Sequence, residues 1–331
     1  MHSKGISIKK TYPAEIMNRC FSTCVENRFY FDFVALFNSW KYYGHKTPIK
    51  VYLSGPLDEE RRKKIERHCV VIDDPELQDP INKSKYIFKF LALIKHMSDQ
   101  EVFIDCDTIF LNNVDHVFSH LDAGKLLLTA EPAANIHHKN YIEPDLWPAE
   151  HLRIKEDLRP FIGDIAENFT PELVSPNYNW GFAGLCKDKH RFLLEKTVDI
   201  LRSSFNTNKN PTSMFEQFMF GLLVSLYDPE KEVLPPEAWM NTWALHQKPK
   251  KRIQVDDGKF AVYDENNLRL HFYHFTGGLT FKRDDKVLGV KPHMLYEYPF
   301  FDCTREEIEQ SFFQLDNPLL LLFEYFCNKG L

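Results

Sequence analysis

The feature that most limits how this chain can fold is the alternation of two periodicities over its first 110 residues. Arg19–Val25 is a short apolar run, and residues 29–43 follow with helical spacing up to Gly44. Ile49–Leu53 is another short apolar run, closed by Gly55 and Pro56. Residues 58–68 read as a charged surface helix and residues 69–72 as a third strand. Residues 84–97 set Ile87, Phe90, Leu91 and Ile94 on one helical face, with Ser84 placed as N-cap, and a fourth strand follows at 102–104. Strands alternating with helices of this length predict βαβ units and a mostly parallel sheet in an α/β fold. Ligands of such sheets bind beyond the carboxyl ends of the strands. Chemistry is therefore expected just after Val25, Leu53, Ile72 and Ile104.

The fourth strand runs directly into Asp105-Cys106-Asp107-Thr108. Two carboxylates two residues apart at a buried strand end repel one another and lose hydration unless a cation neutralises them. Strand alternation sends both side chains to one face, where they can hold one divalent ion. Carboxylate oxygens suit Mg²⁺ or Mn²⁺, and diphosphate oxygens usually complete such a shell. A solvated Asp-x-Asp turn has the same spacing, so the triplet alone leaves both readings open.

Further along, residues 126–129 read as another strand. Residues 135–176 are rich in Pro, Asn, His and charge, yet they hold Trp147, Phe161 and Phe169. This is expected to be an irregular excursion with short helices. Helices are predicted at 191–203 and 213–226, and an alternating strand at 268–274. Thr304-Arg305-Glu306-Glu307 is a capping box that opens a C-terminal helix. The 28 Phe among 331 residues imply a large core or a cleft with hydrophobic walls. With 41 basic and 47 acidic residues in no dominant block, the chain lacks the electrostatic footprint of a duplex nucleic-acid binder. Its seven cysteines are irregularly spaced and include no C-x-x-C pair, which predicts free thiols in a reducing compartment. No segment has the roughly 20 apolar residues needed to span a bilayer, and the N-terminus lacks the apolar stretch of a signal peptide. A cytoplasmic protein is expected.

The run from Lys89 to Phe118, K-F-L-A-L-I-K-H-M-S-D-Q-E-V-F-I-D-C-D-T-I-F-L-N-N-V-D-H-V-F, resembles the corresponding segment of glycogenin and related retaining glycosyltransferases. Lys89, Asp105, Asp107, Leu111, Asn113, Val114, Asp115 and Phe118 fall in the family's register without a gap. Three further blocks follow in the family's order. Tyr178-Asn179-Trp180-Gly181 is similar to its F-N-[AS]-G block, Phe215-Glu216-Gln217-Phe218-Met219-Phe220 to its D-Q-x-x-L-N block, and His274-Phe275-Thr276-Gly277 to the start of its H-F-x-G-x-x-K-P-W block.

The resemblance implies the nucleotide-sugar-binding fold called GT-A and a metal-dependent hexosyltransferase. Asp105, Asp107 and His274 would be the metal ligands, with Mn²⁺ or Mg²⁺ as cofactor. A buried core histidine is the competing reading of His274, since His271 sits three residues earlier. Thr23, Val25, Phe29, Lys89, Cys106, Gly181, Gly277 and Lys282 would join the two aspartates in binding the nucleotide sugar. Lys282 lies two residues later than the motif expects, and Arg283 or Lys286 offers the same charge. Asn179, Glu216 and Gln217 would act at the donor sugar. Glu216 replaces the family's aspartate, Ser213 stands where the family has another, and Phe29 replaces a stacking tyrosine. A surface helix carboxylate is the alternative for Glu216.

These expectations amount to an N-terminal extension (1–18), a GT-A catalytic domain (19–290) and a C-terminal helical extension (291–331). The domain would transfer a hexose from a nucleoside diphosphate sugar, UDP-hexose favoured, to a hydroxyl on a glycan, lipid-linked or protein acceptor. Retention of configuration follows from the resemblance alone. A catalytically inactive GT-A protein that binds sugar or nucleotide is one rival, and a nucleotidyltransferase is another. The nucleotidyltransferase lacks its glycine- and lysine-rich phosphate loop, because Glu26-Asn27-Arg28-Phe29 follows the first strand. Residues 317–327 are apolar on nearly every helical face around Glu324. They are expected to dock on the catalytic domain or in a homodimer, with peripheral membrane attachment as the alternative.

Overall fold

The structure is a computed structural model. It describes residues 18–78, 85–130, 178–206 and 215–227, with shorter stretches at 156, 159–160, 163–168, 231–234, 239–241, 252–256, 258–263 and 267–274. Gly277, Lys282, Arg283, Lys286, Ser213 and the apolar run 317–327 lie outside the described residues, as does most of 135–176.

Strand β1 (Arg19–Val25) leads through one 3₁₀ turn (Asn27–Phe29) into helix α1 (Tyr30–Tyr42), which stops at Gly44 with φ +73°. A positive φ suits glycine and ends the helix without a Cβ clash. Strand β2 (Ile49–Leu53), helix α2 (Glu59–Glu66), strand β3 (Val70–Ile72), helix α3 (Lys85–His96) and strand β4 (Gln100–Ile104) complete the predicted alternation. Beyond them come β5 (Thr108–Phe110), the short helix α4 (Phe118–Asp122), β6 (Leu127–Ala130) and the nine-residue β7 (Tyr178–Cys186). Strands β2 and β7 are buried throughout, as expected of strands covered on both faces. Helix α2 buries only Ile65, and its exposed face carries Glu59–Lys63, Glu60–Lys64 and Arg62–Glu66 ion pairs. Such pairs contribute a few tenths of a kcal/mol each. On α3 the buried residues are Ile87, Phe88, Phe90, Ala92 and Leu93, while Leu91 and Ile94 are only half-buried. The expected face is thus rotated toward Leu93.

With β8 (Glu232–Leu234), strands β1 to β4, β6 and β7 form a seven-stranded, mostly parallel sheet in the order β3-β2-β1-β4-β7-β6-β8. Strands β2 and β3 pair parallel, as do β6 and β8, whereas β6 and β7 are antiparallel. The order reverses between β1 and β4. In open α/β sheets that reversal opens a crevice beyond the carboxyl ends of the two strands. Those ends are Val25 and Ile104.

The chain divides into two compact units. One comprises Met1–Phe21, Asp73–Phe103 and Val117–Leu234, and the other Ser22–Ile72, Ile104–His116 and Pro235–Leu331. In the first, helices α5 (Lys187–Asn206) and α6 (Phe215–Tyr227) pack with α3 and β7. Their core holds Trp180 stacked on Phe90 at 4.8 Å and tilted against Phe220 at 4.0 Å. The second unit adds β9 (Trp239–Asn241), a hairpin of β10 (Arg252–Asp256) and β11 (Lys259–Tyr263), and β12 (Phe272–His274). Strands β5, β12 and β9 form a three-stranded sheet in that order. Helix α1 packs on β5. Among the described residues, no helix is long and apolar enough to cross a membrane.

Candidate metal centre

Strand β4 ends at Ile104, and Asp105-Cys106-Asp107 forms the turn that delivers the chain into β5. The two carboxylates therefore converge through a turn and not through strand alternation. Strand β12 then runs antiparallel to β5 with Phe272 opposite Phe110, Tyr273 opposite Ile109 and His274 opposite Thr108. Leu111 N–H donates to the His271 carbonyl at 2.9 Å, which extends the same register. This pairing carries His274, 167 positions from Asp107 in sequence, to the start of β5. Its Nε2 lies 3.1 Å from Asp107 Oδ1 and 3.7 Å from Asp105 Oδ2.

One ligand atom from each of Asp105, Asp107 and His274 lies within 4.8 Å of the others. Trans ligands of an octahedral ion stand about 4.2 Å apart for bonds near 2.1 Å, so modest side-chain adjustment closes the set around one ion. The donors, two carboxylates and an imidazole, suit a divalent cation of intermediate hardness. Asp107 and His274 side chains are 8% and 5% exposed, whereas Asp105 keeps 30%. Asp105 is thus the most accessible of the three side chains. The three residues fit a divalent cation, and His274 is placed with the two aspartates, not apart from them in an apolar core.

Cys106, between the two aspartates, is buried, and its thiol is pushed well above the ordinary range by burial first and then by the charges of Asp107, Asp32, Asp105 and Cys24. Both causes favour the neutral thiol over the thiolate. Nearby, His45 anchors the chain that leaves β5. Its Nε2 accepts from Val114 N–H at 3.1 Å, while Nδ1 lies 2.8 Å from the Trp40 carbonyl, which assigns the proton to Nδ1. Burial lowers the His45 pKa, in keeping with that neutral form. Asp115 accepts from Lys46 N–H at 2.7 Å, and Asn113 Oδ1 caps Asp115 N–H at 3.1 Å. The Asn113-Val114-Asp115 block thus supports the turn in this structure.

At the end of β1, Thr23 and Val25 are fully buried, and the Thr23 hydroxyl has no hydrogen-bond partner among the described residues. The Val25 carbonyl accepts from Ser54 N–H, so its backbone is engaged with the end of β2. Phe29 is half-buried and covered by the Arg28 guanidinium at 4.7 Å, which leaves less of its ring available for stacking than the resemblance implies. Arg28 also pairs with Glu26, whose Oε2 would lie 2.7 Å from a Cβ on Gly55.

The remaining predicted residues belong to the first unit. Lys89 on α3 holds its ammonium 5.9 Å from the Phe103 ring and 6.0 Å from that of Trp180. Asn179 and Gly181 lie on β7, where Asn179 Oδ1 accepts from Gly181 N–H at 2.7 Å. Gln217 Oε1 accepts from Trp180 N–H at 3.1 Å, so the Asn179 and Gln217 blocks meet. Glu216 is only 5% exposed and Gln217 only 6%, which does not fit a solvated surface-helix carboxylate at 216. Sequence reasoning passes over Asp32, which is 0% exposed on the first turn of α1. Its one signal is a single acid inside the apolar run Phe29-Tyr30-Phe31-Asp32-Phe33-Val34.

No known family profile matches the chain, and no curated protein sequence matches it. Among solved structures it is similar to a bifunctional glycosyltransferase, WbbM, with a TM-score of 0.46 and 10% identity over 81% of this chain. It spans about half, 47%, of that protein's length. It is also similar to an active-site mutant of LgtC, with a TM-score of 0.46 and 12% identity over 78% of this chain and 87% of the other.

Proposed function

We propose that the protein is a GT-A glycosyltransferase that uses Mn²⁺, ahead of Mg²⁺, to transfer a hexose from a nucleoside diphosphate sugar to a hydroxyl acceptor. The observation that carries this reading is the convergence of Asp105, Asp107 and His274 within ligand distance of one another beside the point where the strand order reverses. The imidazole nitrogen in the donor set favours Mn²⁺ over the all-oxygen preference of Mg²⁺. Asp105, Asp107 and His274 would hold the ion, which would supply Lewis-acid stabilisation for the departure of the nucleoside diphosphate.

The chain's own residues set the rest. The Asp107 and His274 side chains are held rigidly by burial and by the β5–β12 register, so the ligand set is pre-organised. Asp105, the most exposed of the three, would be the ligand nearest an incoming diphosphate. The role of Asn179, Glu216 and Gln217 at the donor sugar rests on their order in sequence and on their burial as polar groups in a β7–α6 pair. UDP-hexose is the favoured donor and retention the favoured outcome, both from the family resemblance.

Donor hydrolysis over a panel of nucleotide sugars, with Mn²⁺ and with EDTA, tests the reading. We expect Mn²⁺-dependent release of nucleoside diphosphate from one donor, abolished in EDTA and in Asp107→Asn. Full activity in EDTA or in the variant overturns the metal assignment. No turnover of any donor, together with tight Mn²⁺-dependent diphosphate binding, replaces the transferase by a sugar-nucleotide-binding protein.

A further inference from the structure

Helix α1 and the chain leaving β5 run side by side in the same direction. Phe110 N–H donates to Ser39 Oγ at 3.0 Å, Asn113 Nδ2 to the Tyr43 carbonyl at 3.4 Å, and Val114 N–H to His45 Nε2 at 3.1 Å. As one strand of contacts advances from 39 to 45, the other advances from 110 to 114. The register can therefore be followed backwards. Seven residues before Ser39, two helical turns and about 10.5 Å earlier on the same face, stands Asp32. Three residues before Phe110, about 10 Å earlier in an extended chain, stands Asp107. The two displacements match, and they bring Asp32 alongside Asp107.

The burial of Asp32 agrees with that placement. Asp32 is 0% exposed, although an acid on the first turn of a helix ordinarily lies in solvent, where it gains from the helix dipole without losing hydration. Asp32 is not in the group of atoms close enough to share an ion.

We propose that Asp32 is a positioning residue of the cation site, a third carboxylate held behind Asp107 that raises affinity for a divalent ion without ligating it. The inference rests on the metal reading of Asp105, Asp107 and His274. Physically, two ligand carboxylates offset the charge of a divalent ion, and a third, buried one adds further attraction in a poorly screened interior. The same crowding destabilises the protein when no cation is present, because three like charges then face one another. Asp32 therefore works in opposite senses with and without metal, which a helix-capping or packing role does not do.

The test is Mn²⁺ binding to the full chain, read by the electron paramagnetic resonance of free Mn²⁺, together with thermal melting in EDTA. Asp32→Asn should weaken Mn²⁺ binding about 10- to 100-fold, as loss of an outer-shell partner does, while raising the melting temperature in EDTA. Asp32→Glu, which keeps the charge, should restore most of the affinity. Unchanged Mn²⁺ affinity in Asp32→Asn, or a variant that melts earlier or fails to fold in EDTA, overturns the inference. Asp107→Asn, run in parallel, separates the two levels. If it loses Mn²⁺ while Asp32→Asn keeps it, only the inference about Asp32 falls. If Asp107→Asn also keeps Mn²⁺, the metal centre itself is wrong.

Discussion

Glu216 and Asp107 are both buried carboxylates, but the proposed reaction asks different things of them. Asp107 stands with His274 at the proposed diphosphate end, whereas Glu216 sits on the first turn of α6, beside the residue that anchors β7. Glu216→Gln keeps the shape and removes the charge. It should lower turnover by about 100-fold or more while changing nucleoside diphosphate affinity less than about threefold, the signature of an interaction made chiefly in the transition state. Steady-state kinetics beside calorimetric titration with the diphosphate checks this, and wild-type turnover in the variant returns Glu216 to a structural role. The pairing of Asp105 with Asp107 is legible in the sequence because D-x-D stands out against apolar neighbours. Asp32 is harder to read, since an acid near a helix start is equally what a solvated dipole partner looks like.

Between elements, packing tolerances and protonation states decide what the sheets can bear. Gly184 on β7 faces Leu127 on β6, and a Cβ there would lie 2.9 Å from Leu127 Cβ and 3.2 Å from Leu121 Cδ2. Gly184→Ala should destabilise the protein by about 1–3 kcal/mol, as overpacking does, measured as a lower midpoint in urea. His271, just before β12, accepts from Asn112 Nδ2 at 3.3 Å and is held neutral by burial and by His116 and Arg269, with its pKa pushed down to about 4. A pKa below the unfolded value of about 6.5 means that the unfolded chain binds the extra proton first. The stabilisation is complete above about pH 6.5 and is lost as the pH falls toward 4. Melting temperature in EDTA should fall across that window, and less steeply in His271→Asn; parallel profiles would exclude the histidine as the cause. The strand–helix alternation up to β4 is readable because each strand there is a short apolar run. Strand β7 is not, because Asn179, Gly181 and Gly184 interrupt its apolar pattern and only its neighbours make it a strand. The three-residue β5 is likewise a product of its pairing, too short to declare itself by period, whereas the alternation over 268–274 marks β12.

At the scale of the whole molecule, residues 22–72, 104–116 and 235 onward are interleaved in sequence with the other unit. The proposed metal ligands inherit that interleaving, since Asp107 and His274 meet across 167 positions. Closing so long a loop carries an entropic cost that only later contacts offset, and distant pairings form slowly. The proposed cation site should therefore be among the last parts of the protein to mature. During refolding, sheet formation followed by far-ultraviolet circular dichroism should run ahead of Mn²⁺ uptake. A chain stopped before Phe272 keeps both aspartates and lacks the imidazole. It should bind Mn²⁺ no better than a short peptide containing Asp105-Cys106-Asp107, and a truncated chain with native affinity would contradict this. Under the proposed function, synthesis from the N-terminus acts as a timer, because a growing chain would acquire its cation, and with it any capacity to consume donor, only after the last strand of the site has been made.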